Sequence, residues 1–274
     1  MTPECDYIRT LVRSRSAMVL DDGKEYLIQA RLAPLVRQEG VASLEHLVAR
    51  LQQQRPDGPL HSRVVEAMTI NETSFFRDVN PYEALRKLVL PELIQARAAH
   101  RVLNVWSAAC STGQEPYSLA MTLRETVPEG WKVRIHATDL SSAVLERAKR
   151  GRFTQLEINR GLPAPMLVKH FVQEGIEWQV RPELRSLIDF RQMNLSEPWP
   201  AFPPMDIVFM RNVLIYFDIA TKKRMFGRLR EVLRPDGYLF LGAAETTLNI
   251  DDSFEGTERG KTICYRRAPG KERQ

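Results

Sequence analysis

Apolar residues in the first quarter of the chain recur at the spacing of one helix face: Ile8, Leu11 and Val12, then Tyr26, Leu27, Ala30, Leu32, Leu35 and Val36, then Leu44, Leu47, Val48 and Leu51. Asp22 and Ser43 stand in N-cap positions and Gly40 where a helix would stop, so 1–69 reads as an all-helical domain. After Asn71 the texture changes. Short apolar runs alternate with helix-length periods, the sequence form of a parallel sheet with crossover helices. Strands are predicted at 102–107, 133–138, 206–210 and 238–241, with helices at 115–127, 141–150 and 219–233. The last helix ends in Leu233-Arg234-Pro235-Asp236-Gly237, a stop and tight turn into the next strand. The stretch 176–190 breaks the alternation and suggests a small antiparallel insertion at about 172–192. The fold class is α/β, with a helical domain at 1–69, a linking segment at 70–80 and a sheet domain at 81–274.

Composition adds limits. An apolar content of 43% with 8% aromatics supports a real core. No run approaches the roughly 18 apolar residues of a membrane span, and MTPECDYIRT lacks an export signal, so a cytoplasmic location is expected. Cys5, Cys110 and Cys264 are scattered and the histidines form no HxxxH pair, so no metal is expected. The net charge of +5 resides in 259–274, which reads as a solvated basic tail, with attraction to an acidic partner as the alternative. The balanced remainder argues against a nucleic-acid protein with a broad basic face.

Candidate chemistry sits in the first strand-to-helix turn, the usual ligand cradle of an open α/β sheet. Ser107-Ala108-Ala109-Cys110-Ser111-Thr112-Gly113 keeps one glycine where dinucleotide turns have three, and its small residues are expected to forgo the positive φ that glycine adopts cheaply. Glu115 follows at once, in the helix's first turn, and would repel a phosphate. That acid suits a ligand ammonium, and Asp139 at the end of the second strand suits ribose hydroxyls. A nucleoside with an amino-acid arm and no phosphate, S-adenosylmethionine, satisfies both. Taken singly, Glu115 is equally a helix-dipole partner and Asp139 equally an N-cap.

The runs NETSFFRD (71–78), WSAACSTGQEPYS, ATDLSSAVLERAKRG, MRNVLIYFD and LRPDGYLFLGAAE resemble, in order and over nearly the whole chain, the chemotaxis receptor methyltransferases of the CheR type. The resemblance implies a Rossmann-like S-adenosylmethionine-dependent methyltransferase domain behind an N-terminal helical domain, with a small antiparallel β-subdomain inserted. It implies cofactor contacts at Asn71, Thr73 and Arg77 in the linking segment, and at Glu115, Asp139, Asn194, Leu195, Arg211 and Asn212. Arg77 offers a fork for a carboxylate, or serves as a surface ion-pair partner. Asn194 and Leu195 suit the edge and face of adenine. Tyr216 is the candidate catalytic residue, orienting the incoming carboxylate, or else a core aromatic. Phe75 and Phe76 are expected to pack between the domains.

The implied reaction is methyl transfer to glutamate side chains of membrane-bound chemoreceptors, giving methyl esters and S-adenosylhomocysteine. A glutamate is already ionised at neutral pH, so no general base is required. The implied partner is the cytoplasmic helical domain of methyl-accepting chemoreceptors, with the enzyme recruited to receptor arrays. Arg9, Arg13, Arg15, Arg31 and Arg37 would guide it, or form a solvated helix face. The segment 172–178 is short and has one glycine, unlike the glycine-richer loop of members that dock a receptor tail peptide, so no such tether is expected. Two rivals remain. A nucleic-acid methyltransferase would show an N/D-P-P-Y strand end where Met210-Arg211-Asn212-Val213 stands; a non-catalytic sensor would share the fold.

Overall fold

Four helices carry the periodic first quarter in a computed structural model that describes residues 2–21, 23 and 25–269: α1 (Pro3–Ser16), α2 (Glu25–Gln38), α3 (Leu44–Gln52) and α4 (Pro59–Met68). Thr2 caps α1 ahead of Pro3, and Ser43 caps α3 by accepting from His46 N at 3.4 Å. Gly40 follows α2 at φ 63°, as a helix stop requires. The expected cap at Asp22 lies outside the described residues. Ile8, Val12, Leu32, Leu47, Leu51 and Val64 are fully buried and form the interior of this bundle.

Two later segments, 194–198 and 216–222, complete the helical unit. The Asn194 side-chain amide donates to Arg15 O at 2.6 Å, and Val19 N donates to Tyr216 O at 2.8 Å. Met18 and Phe217 form an antiparallel bridge, and the Arg13 guanidinium meets Asp218 at 3.4 Å.

The second unit comprises 71–193, 199–215 and 223–274. It opens with α5 (Asn80–Ala84), a π-helical turn at Leu85–Val89, and α6 (Leu90–Ala96). The alternation then follows: β1 (Val102–Ala108), α7 (Gln114–Thr126), β2 (Lys132–Asp139) and α8 (Ser142–Arg150). Next come β3 (Arg152–Thr154), α9 (Gln155–Asn159), α10 (Ala164–His170), β4 (Phe171–Glu174), β5 (Glu177–Val180), α11 (Pro182–Arg185) and β6 (Ile188–Gln192). The chain ends with β7 (Met205–Met210), a 3-10 turn at Leu214–Tyr216, α12 (Ile219–Val232), β8 (Leu233–Leu241), β9 (Phe254–Arg259) and β10 (Thr262–Arg267).

The seven-stranded sheet runs β6-β2-β1-β7-β8-β10-β9, parallel from β6 through β8 and antiparallel at β10 and β9. Strand order reverses at β1, between β2 and β7, which is where an open sheet leaves its ligand crevice. Every residue of β7 is buried, and β1 is buried from Leu103 onward, as strands covered on both faces must be. The Arg234–Gly237 turn lies within β8 as an irregularity, since Leu233 pairs with Met205 and Tyr238 with Ile207.

Three expectations change. The antiparallel insertion is β3-β5-β4, beginning at Arg152 and ending at Val180, whereas 188–192 is β6 of the main sheet, paired parallel with β2. The basic run from Arg259 is no solvated tail over its described part: it ends β9 and forms β10. The guanidiniums of Arg259 and Arg266 lie 5.8 and 4.9 Å from the Tyr238 ring centroid and ion-pair with Glu92. Residues 270–274 lie outside the described set. Phe75 packs within the sheet unit, edge-on to Phe153 and Phe171 at 4.9 and 5.8 Å, and so serves the insertion's core.

Candidate active site

The turn after β1 answers the puzzle of its single glycine by straining two other residues. Ala109 (φ 57°) and Ser111 (φ 51°) both adopt the left-handed region, so the small residues do take positive φ, and neighbouring bonds hold them there. Cys110 N donates to Thr138 O at 2.9 Å, Ser111 N to Asp139 Oδ2 at 2.8 Å, and Ser111 Oγ to Asn71 O at 2.9 Å. Gly113, at φ 102°, caps α7; a Cβ there would sit 3.0 Å from the Ala148 Cβ and 3.2 Å from the Tyr117 ring, so glycine is required.

Glu115 points back from the first turn of α7 to the end of β1. Its Oε1 accepts from Ser107 Oγ at 2.7 Å, and its Oε2 lies 3.4 Å from Arg211 Nη1. Burial pushes the Glu115 carboxyl above the usual carboxylate range, partly countered by the Arg211 charge and by the Ser107 bond. Arg211, at the end of β7, donates through Nη2 to Asp78 Oδ2 at 2.6 Å and to Arg77 O at 3.0 Å. Its side chain is 1% exposed. Burial opposes the guanidinium charge, but the neighbouring Glu115 and Asp78 carboxylates favour it, and its pKa is raised. Burial likewise pushes the Tyr82 hydroxyl up, so this ring stays neutral 5.9 Å from the Arg211 guanidinium.

Asp139 spans the crevice from β2, taking Ser111 N on Oδ2 and Ser141 N on Oδ1 at 3.0 Å. The N-cap of α8 is Ser141, not Asp139, so the carboxylate serves the turn. With about four acceptor positions, a carboxylate in these bonds is compatible with hydroxyl partners as well. Asn71 and Thr73 line a hollow of 370 Å³ with Thr112, Gln114, Val144 and Arg147. Arg77 is half-buried, its Nη1 donating to Glu72 O at 3.1 Å, and its neighbours Phe76, Asp78 and Val79 all have positive φ. Asn212 closes β7 at φ 58°, a conformation asparagine tolerates.

Asn71, Thr73, Arg77, Glu115, Asp139, Arg211 and Asn212 thus belong to the sheet unit, while Asn194, Leu195 and Tyr216 group with the helical unit. Asn194 has its amide engaged by Arg15 O, Glu197 and Ser196, Leu195 is buried, and Tyr216 is half-buried. Sequence reading gave no role to Asp78, the partner of Arg211, or to Glu245, whose carboxylate binds the backbone amides that follow Arg211. The available signal was position: an acid three residues beyond the glycine that ends a parallel strand.

The donor set fits S-adenosylmethionine. A buried acid at the β1 end suits an ammonium, Asp139 suits vicinal hydroxyls, and the turn, its amides tied to β2 and followed by a carboxylate, is no phosphate cradle. Among the described residues no helix is long and apolar enough to cross a membrane. Residues 3–69 match the family model described as the CheR methyltransferase all-alpha domain, and residues 71–263 match the CheR methyltransferase SAM binding domain. A chemotaxis protein methyltransferase 1 of Pseudomonas aeruginosa is 42% identical over 95% of this chain and 96% of its own. The chemotaxis protein methyltransferase Cher2 of Pseudomonas putida is 40% identical, again over 95% and 96%. The chemotaxis protein methyltransferase of Escherichia coli is 34% identical over 93% of this chain and 88% of its own. With both family domains matched in order and a site whose residues fit the cofactor, this chain belongs to the CheR methyltransferase family.

Proposed function

We propose that this protein transfers a methyl group from S-adenosylmethionine to glutamate side chains on the cytoplasmic helical domain of chemoreceptors, giving methyl esters. The observation that carries the reading is the buried guanidinium of Arg211 at the end of β7, held between Glu115 and the more exposed Asp78, within a chain that matches both domains of a methyltransferase family. S-adenosylmethionine supplies a methyl on a cationic sulfur: a carboxylate oxygen forms the new C–O bond as the C–S bond breaks, and the electron pair stays on sulfur.

No proton moves, so the chain's task is binding, orientation and exclusion of water. Glu115 takes the ammonium of the methionine arm, and Arg211 holds it in place and favours its ionised form against the effect of burial. Asp139 takes ribose hydroxyls, and Asn71, whose carbonyl accepts from Ser111 Oγ of the same turn, and Thr73 add contacts from the linking segment. Arg77 presents a guanidinium within that segment for a carboxylate. Asn212 adds an amide at the β7 end. Asn194 and Leu195 at adenine are the contacts that the family resemblance implies, and Tyr216 is the candidate for orienting the substrate carboxylate. Of the basic residues on α1 and α2, the exposed Arg13 and Arg37 are the ones that can face an acidic receptor helix, whereas Arg9 is largely buried beside Asp6 and Asp21 O and Arg31 donates to Met68 O. The β4–β5 hairpin is closed by Gly175 and Ile176 alone, which supports receptor methylation without a docked tail peptide.

The test is transfer of labelled methyl from S-adenosylmethionine to membranes bearing the host's chemoreceptors, followed by mild alkali. Label released as methanol is the expected result. Alkali-stable label would point to a nitrogen acceptor, and no label despite cofactor binding would point to a sensor.

A further inference from the structure

Glu245 lies beyond β8, and its carboxylate is enclosed by backbone amides. Its side chain reaches back to the turn after β7, where Oε1 accepts from Val213 N at 2.9 Å and Leu214 N at 2.7 Å, with Ile215 N at 3.4 Å. Oε2 accepts from Asn212 N at 2.7 Å and from Gly242 N at 2.6 Å. The residue is 8% exposed, so these charge-assisted bonds form largely away from water. Successive amides converging on one anion make a nest, and here the anion is built into the chain.

Gly242 is the other half of the device. A Cβ at this position would fall 2.6 Å from Glu245 Oε2, 2.8 Å from Asn212 Nδ2 and 2.9 Å from Asn212 N. A side chain at 242 and a carboxylate at 245 therefore exclude each other. The same contacts show that the Asn212 side-chain amide is confined beside the Gly242 backbone, with Asn212 itself at φ 58°. A glutamine at 245 would turn an NH₂ toward at least one of these N–H donors, leaving buried donors unmatched.

We infer that Glu245 is a positioning residue for cofactor binding. By fixing the backbone from Asn212 to Ile215 it sets the direction of the Asn212 amide and the exit of the Arg211 strand end. The inference rests on the assignment of Arg211 and Asn212 to the cofactor site.

The experiment compares E245Q, G242A, E245D and N212A in the full chain, reading S-adenosylhomocysteine affinity by calorimetry well below each variant's unfolding temperature. Far-UV dichroism and thermal midpoints report folding separately, and KM for S-adenosylmethionine is compared with kcat. E245Q and G242A are expected to remain folded and to bind about tenfold to a hundredfold more weakly, the range that a misplaced contact produces. KM should rise by a similar factor with kcat little changed, and E245D, which keeps the charge, should recover part of the affinity. Lowered thermal midpoints with wild-type affinity in E245Q and G242A would overturn the inference, leaving Glu245 a purely structural anchor. If E245Q does not fold, G242A, which disturbs the same bonds from the other side, decides the question. N212A separates the two assignments. Undiminished affinity in N212A overturns the placement of Asn212 at the cofactor, whereas weak binding in N212A beside normal binding in E245Q overturns the inference about Glu245 alone. The affinity readout requires no receptor and is independent of the identity of the methyl acceptor.

Discussion

At the scale of single residues, backbone conformation and buried charge decide the site. Gly113→Ala forces a Cβ at φ 102° into Ala148 and Tyr117, and about 2 kcal/mol or more of stability should be lost in urea titrations, with weakened S-adenosylhomocysteine binding alongside. Ala109→Gly should act in the opposite direction. Relief of a left-handed alanine, about 1–2 kcal/mol, exceeds the entropy added to the unfolded chain, so the midpoint should rise slightly. Glu115 carries a pH prediction. Its folded-state pKa lies above the unfolded one, so in the window between them the native state holds more protons and folding stability falls as pH rises. An ammonium partner requires the ionised form, so S-adenosylhomocysteine affinity should fall as pH drops through that raised value. The dependence should flatten in Glu115→Gln, checked by calorimetry across pH. None of this strain was legible in the sequence, because alanine and serine carry no mark of a left-handed conformation. The turn itself was legible, from its place after an apolar strand and before a helix with an acid in its first turn.

At the scale of elements, the parallel strands read cleanly because both faces are covered and the runs are continuously apolar, as at Ile207–Met210. The edges did not. Phe254–Arg259 has a single large apolar residue and Thr262–Arg267 a run of only three, and both carry arginines that made the region look like a solvated tail; their hold on Glu92 and Tyr238 is a tertiary fact that no local pattern encodes. Arg152–Thr154 is three residues long, too short for a period to register. The opposite end of the sheet from the site depends on Arg97, following α6, which bonds Asp206 at the start of β7 at 2.7 Å and Asp236 in the β8 turn at 2.6 and 2.7 Å. Asp206 is 1% exposed and also accepts from Asn104 N in β1. Arg97→Ala would leave that carboxylate with Arg234 Nε at 3.2 Å and Asn104 N as its remaining partners, and about 1–3 kcal/mol of stability should be lost in denaturant titration while cofactor affinity per folded molecule is retained.

At the scale of the whole molecule, receptor recognition without a tether makes a direct prediction: an isolated peptide from a receptor's C-terminus should give no heat above dilution in calorimetry, although receptor membranes are methylated. The site residues were legible in the sequence to unequal degrees. Glu115 and Asp139 could be argued from spacing, Arg211 and Asn212 from a strand end, but Asp78 and Glu245 emerge only when distant segments meet. The helical unit shows the same dependence on what comes later. Its first seventy residues are joined by 194–198 and 216–222, through Arg15 O to Asn194, Val19 N to Tyr216 O and Arg13 to Asp218. On the ribosome, the bundle begun first therefore stays incomplete until residue 222 has emerged. Chains stalled at about residue 150 should show α1–α4 more open to protease than in the released protein, because the two segments that close the bundle have not yet been synthesised.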